Sequence, residues 1–158
     1  MTEAKTLGIR TPVGILDITI SRRAVHRAAF HGVRVRARPT KELEPLWERV
    51  RRQIEDYFSG KRKTFTLPLD PDPPGTAFQQ AVWKALGEIP HGQVISYGDL
   101  ARWAGRPGAA RAAGAACGAN RIPILIPCHR VVAKSGSLGG FGGGLEIKAA
   151  LLRREHGA

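Results

Sequence analysis

The amino-acid sequence predicts an α/β fold in two parts: a small N-terminal α/β domain and a mainly helical C-terminal domain. Strand-like and helical hydrophobic patterns fill the first part, whereas two short helical patterns flank a glycine-containing turn in the second. A proline-rich stretch at 71–75 predicts a linker between a domain at 1–70 and a domain at 76–158.

The first part contains strand patterns and one long helical pattern. Residues 13–20 predict a strand, and residues 33–37 alternate apolar and basic side chains as a half-exposed strand does. Apolar residues then recur at helical spacing over 43–58, and Ser59-Gly60 predicts the end of that helix. Residues 64–69 predict a further short strand.

The second part opens with a helix-capping signal. Thr76, with Gln79 three residues later, predicts a helix that continues to Pro90. Its predicted inward-facing residues are Phe78, Val82, Ala85, Leu86 and Ile89.

A helix-turn-helix candidate comes next. Ser96 and Asp99 predict the start of a helix over 97–104, and residues 105–108 predict a turn. A second helix over 109–117 consists almost entirely of alanine and glycine, with Arg111 as its one long side chain. Small side chains allow a helix backbone to approach a partner closely, but an ordinary helical hairpin packed through alanines has the same pattern.

The charge favours an anionic partner. The 158 residues include 25 Lys and Arg against 13 Asp and Glu, a net charge of +12. Such a balance is typical of proteins that bind nucleic acid, although a generally charged surface also produces it.

Composition also excludes several classes of protein. Two cysteines, Cys117 and Cys128, do not make a disulfide framework, and no apolar stretch is long enough to span a membrane. With no signal-peptide pattern, we expect a reducing, cytoplasmic location. No zinc-ligand spacing is present, so we expect no metal.

The run Ile126-Pro127-Cys128-His129-Arg130-Val131-Val132 is the strongest candidate for chemistry. It sets a cysteine beside two residues that can be cationic, and cationic neighbours favour the nucleophilic thiolate. An adjacent histidine alone proves no pairing, because neighbours on a strand face opposite ways. Ten residues rich in glycine, 135–144, predict a loop that covers a substrate, and a final helix is expected over 145–155, with Leu145, Ala149, Leu151 and Leu152 facing inward.

Several strings in this order resemble the O6-alkylguanine-DNA alkyltransferases, a family of DNA repair proteins. The matches lie at 78–83, 95–97, 109–112, 120, 126–132 and 142–145, with a weaker match at 11–14. The resemblance implies an RNase H-like N-terminal domain with an antiparallel sheet and a winged helix-turn-helix-like C-terminal domain. It implies suicide transfer of an alkyl group from O6-alkylguanine in duplex DNA, with O4-alkylthymine a second candidate substrate.

The resemblance also implies roles for individual residues. Cys128 would accept the alkyl group, His129 would deprotonate it through a water, and Glu155 would orient His129. Asn120 would be a hinge, and Tyr97 would contact the extruded base. The remaining substrate and DNA contacts would come from Arg111, which enters the base stack, and from Gly98, Arg106, Pro123, Val131, Lys134, Phe141 and Gly142.

The same resemblance implies a monomer that binds the minor groove of DNA without a cofactor, with cooperative assembly on DNA left open. Phe141 stands where the family usually has tyrosine, and Gly142 where some members have serine. Three other classes of protein share parts of this pattern: a non-catalytic binder of alkylated bases, a helix-turn-helix regulator without chemistry, and a cysteine hydrolase. The non-catalytic binders lack the acceptor cysteine, which this chain has. A regulator without chemistry would need neither the Cys128 run nor the glycine-rich loop. A cysteine hydrolase would need an oxyanion motif, and none is apparent in the sequence.

Overall fold

The computed structural model describes residues 4–30, 37–141 and 143–157, and its chain divides between Pro73 and Pro74 into two units. The first unit is an antiparallel sheet, in the order β1-β2-β3, with one helix. Its elements are β1 (Lys5–Thr11), β2 (Gly14–Ile20), β3 (Val25–Phe30) and α1 (Glu44–Phe58).

Alternation places apolar side chains of the strands in the core of the first unit. Leu7 of β1 and Leu16, Ile18 and Ile20 of β2 are buried, and α1 buries Val50 and Ile54 at helical spacing. The predicted strand over 13–20 and the predicted helix over 43–58 are confirmed.

Other strand predictions in this unit need correction. The predicted strand at 64–69 is wrong: only Leu69 forms a bridge, to Val25. Pro68 has no N–H for a ladder, and the Thr66 N–H bonds instead to the Gln53 side chain of α1 at 2.9 Å. The predicted strand at 33–37 lies outside the described residues except at its last position.

The second unit is mainly helical, which together with the antiparallel sheet confirms the expected fold class. Its elements are α2 (Ala77–Leu86), β4 (Ile95–Ser96), α3 (Tyr97–Trp103), α4 (Ala110–Gly118), a 3₁₀ turn (Cys128–Arg130), β5 (Val131–Val132) and α5 (Leu145–His156). Within the described part of the chain, no helix is long and apolar enough to cross a membrane.

Local sequence fixes where the helices of this unit begin. Thr76 and Ser96 each form a capping box, with Gln79 and Asp99 respectively, as predicted. The first of these helices ends at Leu86, earlier than expected.

Pairing across the second unit brings distant segments together. Trp83 of α2 donates its indole N–H to the Ala116 carbonyl of α4 at 2.8 Å. Ile95 of β4 pairs in parallel with Val131 of β5. Since β4 leads directly into α3 and β5 follows the 3₁₀ turn, this pairing brings the start of α3 beside the segment that follows Cys128.

Candidate active site

Cys128 lies in the 3₁₀ turn that follows the largely buried segment 122–127, and only 7% of its surface is exposed. Its backbone N–H donates to the Ile126 carbonyl at 2.8 Å. Asn120, just beyond α4, donates from Nδ2 to the same carbonyl at 2.8 Å and accepts the Ile122 N–H on Oδ1 at 3.0 Å. The segment that carries the sulfur is therefore fastened to the end of α4.

Burial and hydrogen bonding join His129, Arg130 and Glu155 into one cluster. His129 Nε2 lies 2.7 Å from Glu155 Oε2, and both side chains are almost fully buried. Arg130 donates from Nε to Oε1 at 2.9 Å and from Nη2 to Oε2 at 3.0 Å, a bidentate ion pair. Its Nη1 donates to the Ile89 carbonyl at 2.7 Å. Sequence reasoning noted Arg130 only as a neighbouring charge and missed its contact with Glu155.

The hydrogen bond to Glu155 fixes the tautomer of His129. A carboxylate accepts, so Nε2 carries the proton and Nδ1 keeps its lone pair. Among the described residues, the buried Nδ1 has no hydrogen-bond partner. Burial lowers the pKa of His129 below its ordinary value, although Glu155 opposes this effect. The imidazole is therefore neutral at neutral pH and has a free basic nitrogen.

The surroundings of Cys128 favour its thiolate. A hydrogen bond from the Cys117 side chain is the largest influence that lowers the pKa of Cys128, and burial opposes it. A hydrogen bond from Asn120 and the charge of Lys148 lower this pKa further. A thiolate is the nucleophilic form of cysteine, so the site is built for attack by sulfur.

Lys148 is a feature that sequence reasoning missed. It is fully buried, and its Nζ donates to the Val131 carbonyl at 2.6 Å and to the Gly140 carbonyl at 3.2 Å. Burial lowers the pKa of Lys148. The spacing of 148, 151, 152 and 155 along one face of α5 was the available signal. Leu145, expected to face inward, is instead 50% exposed.

Tyr97, the first residue of α3, lies between α4 and the glycine-rich loop. Gly114 of α4 approaches one edge of its ring, since a Cβ there would lie 3.5 Å from Cδ1. At the other end, a Cβ on Gly139 would lie only 2.5 Å from the Tyr97 hydroxyl, and Gly139 has a φ of +72°. Burial raises the pKa of Tyr97 above its ordinary value.

The predicted site residues fall into two groups. Cys128, His129, Glu155, Asn120 and Tyr97 lie together in the interior of the second unit or at its edge. The predicted DNA contacts Arg106, Arg111 and Lys134 are exposed, Gly98, Pro123 and Phe141 are half-buried, Val131 is buried, and Gly142 lies outside the described residues.

Two exposed cations belong to the helix-turn-helix itself. Arg111 is the second residue of α4, whose opposite face buries Ala113 and Ala116. Arg106, in the turn before α4, places its guanidinium 4.6 Å from the centre of the Phe78 ring. In the described ranges, no cluster of three or more His, Cys, Asp or Glu side chains could hold a metal ion.

Comparison with known proteins finds two family models in the chain. Residues 77–157 match the DNA binding domain of 6-O-methylguanine DNA methyltransferase, and residues 9–71 match the ribonuclease-like domain of the same protein. Together these models account for most of both units.

Curated relatives share about half of their aligned residues with this chain. A methylated-DNA--protein-cysteine methyltransferase of Haemophilus influenzae is 50% identical over 112 residues, 70% of this chain and 62% of the relative. The inducible Bacillus subtilis protein of that name is 53% identical over 103 residues, 65% of this chain and 56% of the relative. The alignments thus span less than two thirds of these two relatives.

Solved structures match over nearly the whole chain. The O6-methylguanine methyltransferase of Mycobacterium tuberculosis is 37% identical, with a TM-score of 0.81 over 98% of this chain and 94% of that one. A structure of Mycobacterium tuberculosis OGT in complex with DNA is 39% identical, with a TM-score of 0.85 over 96% of this chain and 92% of that one.

Proposed function

The chain belongs to the 6-O-methylguanine DNA methyltransferase family, and on that basis we propose that it repairs DNA by moving an alkyl group from O6-alkylguanine to Cys128. The observation that carries the proposal is a buried sulfur next in the chain to an imidazole that Glu155 orients through a hydrogen bond of 2.7 Å. O4-alkylthymine is a second candidate substrate.

The transfer is a single displacement at carbon. The Cys128 sulfur forms a bond to the alkyl carbon as the bond from that carbon to guanine O6 breaks, and the electron pair leaves on the guanine. A thioether has no easy leaving group, so the product does not release its alkyl group. The protein is consumed by one transfer and needs no cofactor, because Cys128 is itself the acceptor.

His129 removes the Cys128 proton through an intervening water. Nδ1 is the ring nitrogen that can accept this proton, since Nε2 already donates to Glu155. Glu155 then balances the charge of the imidazolium, and Arg130 holds Glu155 in place. Ionisation alone gains about thirtyfold in thiolate at pH 7, so in-line positioning must supply the rest of the acceleration.

Tyr97 is the candidate proton donor to the leaving guanine. Its raised pKa keeps the hydroxyl protonated throughout the physiological range, so it is able to donate when negative charge develops on the base. Its position between α4 and the glycine-rich loop suits contact with both a base and a flanking phosphate.

An alkyl group on guanine O6 lies inside the duplex, so the nucleotide must first be extruded. We assign the vacated space to Arg111, because it is the long exposed side chain of α4. The small residues of α4 suit entry into the narrow minor groove, with Gly98, Arg106 and Lys134 on the phosphate backbone.

The extruded guanine is read by backbone groups in this proposal. The carbonyls of Cys128 and Val131 accept from its amino group, Pro123 and Phe141 form the pocket walls, and the Gly142 N–H meets O6. The Val131 carbonyl already accepts from Lys148, and a carbonyl oxygen has a second lone pair for the base. We also propose that the protein acts as a monomer on double-stranded DNA in the cytoplasm.

Intact mass spectrometry tests the proposed function. Mixing the protein with a duplex containing O6-methylguanine should add one methyl group per chain, and peptide mapping should place it on Cys128. Cys128→Ser should bind the same duplex without gaining mass. Transfer by that variant, repeated turnover, or binding by the native chain without any gain in mass would each refute the assignment.

A further inference from the structure

We propose that Phe78 is a positioning residue for DNA binding: before DNA arrives, its ring holds the Arg106 guanidinium in place for contact with a backbone phosphate beside the helix-turn-helix. The proposal rests on the proposed function, from which it takes duplex DNA as the ligand and Arg106 as a phosphate contact. The sequence predicted Phe78 as an inward-facing residue of α2, but it is only half-buried, and its ring meets the exposed Arg106.

The contact between Arg106 and Phe78 leaves the hydrogen-bond donors of the arginine available. The guanidinium carbon lies over the ring at 4.6 Å from its centre, well within the range of about 6 Å for attraction between a cation and a ring face. A phenyl ring has no lone pair to accept a hydrogen bond. Within residues 4–30, 37–141 and 143–157, no carboxylate or carbonyl accepts one from the Arg106 side chain either. Its N–H groups are therefore able to meet an incoming anion.

Both partners of this contact are fixed by the backbone around them. Arg106 lies in a tight turn, where its N–H donates to the Ala101 carbonyl at 2.9 Å and its carbonyl accepts from the Ala109 N–H at 3.1 Å. Phe78 is the second residue of α2, whose first turn is closed by the capping box of Thr76. The ring is thus a rigid support, and it restricts the rotamers of an otherwise exposed arginine.

The surroundings of Arg106 favour a phosphate as its partner. Between Asp99 and Glu146 the chain has no acidic residue, so no carboxylate of this stretch offsets the positive charge of the helix-turn-helix. The turn that contains Arg106 leads directly into α4, and Trp83 fastens α2 to α4 through the Ala116 carbonyl. The guanidinium therefore lies beside the helix that we propose for the minor groove, and phosphates border that groove on both sides.

Preorganisation is the benefit of this contact. A long exposed side chain loses rotamer freedom when it binds a phosphate, and that loss weakens binding. The Phe78 ring has already removed part of this freedom in the unbound protein, so less is lost when DNA binds. Phe78 should therefore act on affinity through Arg106 and leave the chemistry at Cys128 unchanged.

Fluorescence anisotropy of a labelled, undamaged duplex measures this effect over a range of salt concentrations. Arg106→Gln removes the charge, Phe78→Leu removes the ring but keeps an apolar side chain, and Phe78→Tyr keeps a ring. The first two changes are also combined in a double variant. The control is Arg52→Gln, which removes one charge from an exposed side chain of α1.

The two single changes should weaken binding in different ways. Arg106→Gln should lower the affinity about fivefold at about 0.1 M salt, and should reduce the slope of log affinity against log salt by about 0.9, the contribution of one phosphate contact. Phe78→Leu should lower the affinity about threefold, a modest cost of immobilising a long side chain, and should keep the native slope because the phosphate contact still forms. Added to Arg106→Gln, it should have no further effect. Phe78→Tyr and Arg52→Gln should bind nearly as the native chain does.

A purely structural role for Phe78 would give a different pattern. Losses of affinity that multiply in the double variant, or a Phe78→Tyr variant that binds as weakly as Phe78→Leu, would overturn the proposal. So would a native salt slope in Arg106→Gln, or an equal loss of affinity in Arg52→Gln. If Phe78→Leu melts early, Phe78→Met makes the same comparison with another apolar side chain that has no ring.

Kinetics separate this inference from the proposed function. In methyl transfer from methylated duplex, Phe78→Leu should need about threefold more duplex to reach half of its limiting rate, and the limiting rate should be unchanged. A lower limiting rate would overturn the positioning role. Coupled losses of affinity in a protein that gains no methyl group would sustain this inference and remove only the proposed transfer. Transfer to Cys128 by a protein whose variants all bind DNA alike would do the reverse.

Discussion

Replacing Glu155 by glutamine tests the buried cluster most severely. The change keeps the shape of the side chain but removes the charge that faces His129 and both donor atoms of Arg130. Arg130 stays buried in the variant. Its guanidinium then lacks the anionic partner that compensates the free-energy cost of its desolvation.

The expected loss of stability follows from the loss of this buried ion pair. Removing one partner of a buried ion pair costs about 3–5 kcal/mol. Arg130 keeps the Ile89 carbonyl, and glutamine still offers one acceptor oxygen, so we expect a loss of about 3 kcal/mol from the free energy of unfolding of the second unit. For a domain of this size, that loss lowers the melting temperature by roughly 12–24 °C.

Urea denaturation followed by tryptophan fluorescence measures this loss. The chain has three tryptophans, and only Trp47 lies in the first unit, so a Trp47→Phe background restricts the signal to the second unit. The control is Arg130→Met, alone and combined with Glu155→Gln. The double variant removes both charges of the Arg130–Glu155 pair. Its loss of free energy of unfolding should therefore be smaller than the sum of the two single losses by about 2 kcal/mol.

Additive losses, within about 0.5 kcal/mol, would refute the reasoning, because they would mean that the Arg130 charge does not depend on Glu155. The chemistry offers a second check. Glu155 raises the pKa of His129 against the lowering effect of burial, so its loss should lower that pKa further and weaken the base. Alkyl transfer by Glu155→Gln should therefore be slower across neutral pH. An unchanged pH profile would exclude proton removal from Cys128 by a His129 that depends on Glu155.

Three further changes test other parts of the second unit. Arg111→Ala should slow transfer from methylated duplex on the order of tenfold more than transfer from a free benzylated guanine base, whereas equal losses would remove its role in extrusion. Ser96→Ala should cost about 1 kcal/mol in urea denaturation through loss of the α3 cap, and Ser135→Ala in the exposed loop serves as the neutral control. Gly139→Ala should cost about 1–2 kcal/mol for its left-handed backbone alone, with a further loss from its contact with Tyr97. That further loss should shrink in a Tyr97→Phe background, and identical losses in both backgrounds would contradict the contact.

The sequence predicted those features that depend on a few neighbouring residues. The capping boxes at Thr76 and Ser96 need only two residues three positions apart, and both form as expected. The apolar residues at helical spacing likewise predicted α1. β1 and β3 were missed, because short strands with one or two core residues leave little periodic signal and are defined by their pairing with β2.

Long-range contacts were beyond the sequence patterns. Lysine is rarely buried, so nothing local indicated that Lys148 would reach the Val131 carbonyl. Likewise, Arg130 meets Glu155 only because the 3₁₀ turn packs against α5. The glycine-rich loop was identified, but the approach of Gly139 to Tyr97 depends on the position of α3.

The influences on the Cys128 sulfur come from separate stretches of the chain. Cys117 and Asn120 reach it from the end of α4, and Lys148 contributes from α5. A nascent or partly folded chain lacks this assembly, so its cysteine is an ordinary, sluggish thiol. If the protein acts once as proposed, the reactive form of its sulfur is assembled only when folding is complete, so cellular electrophiles react with less of it beforehand.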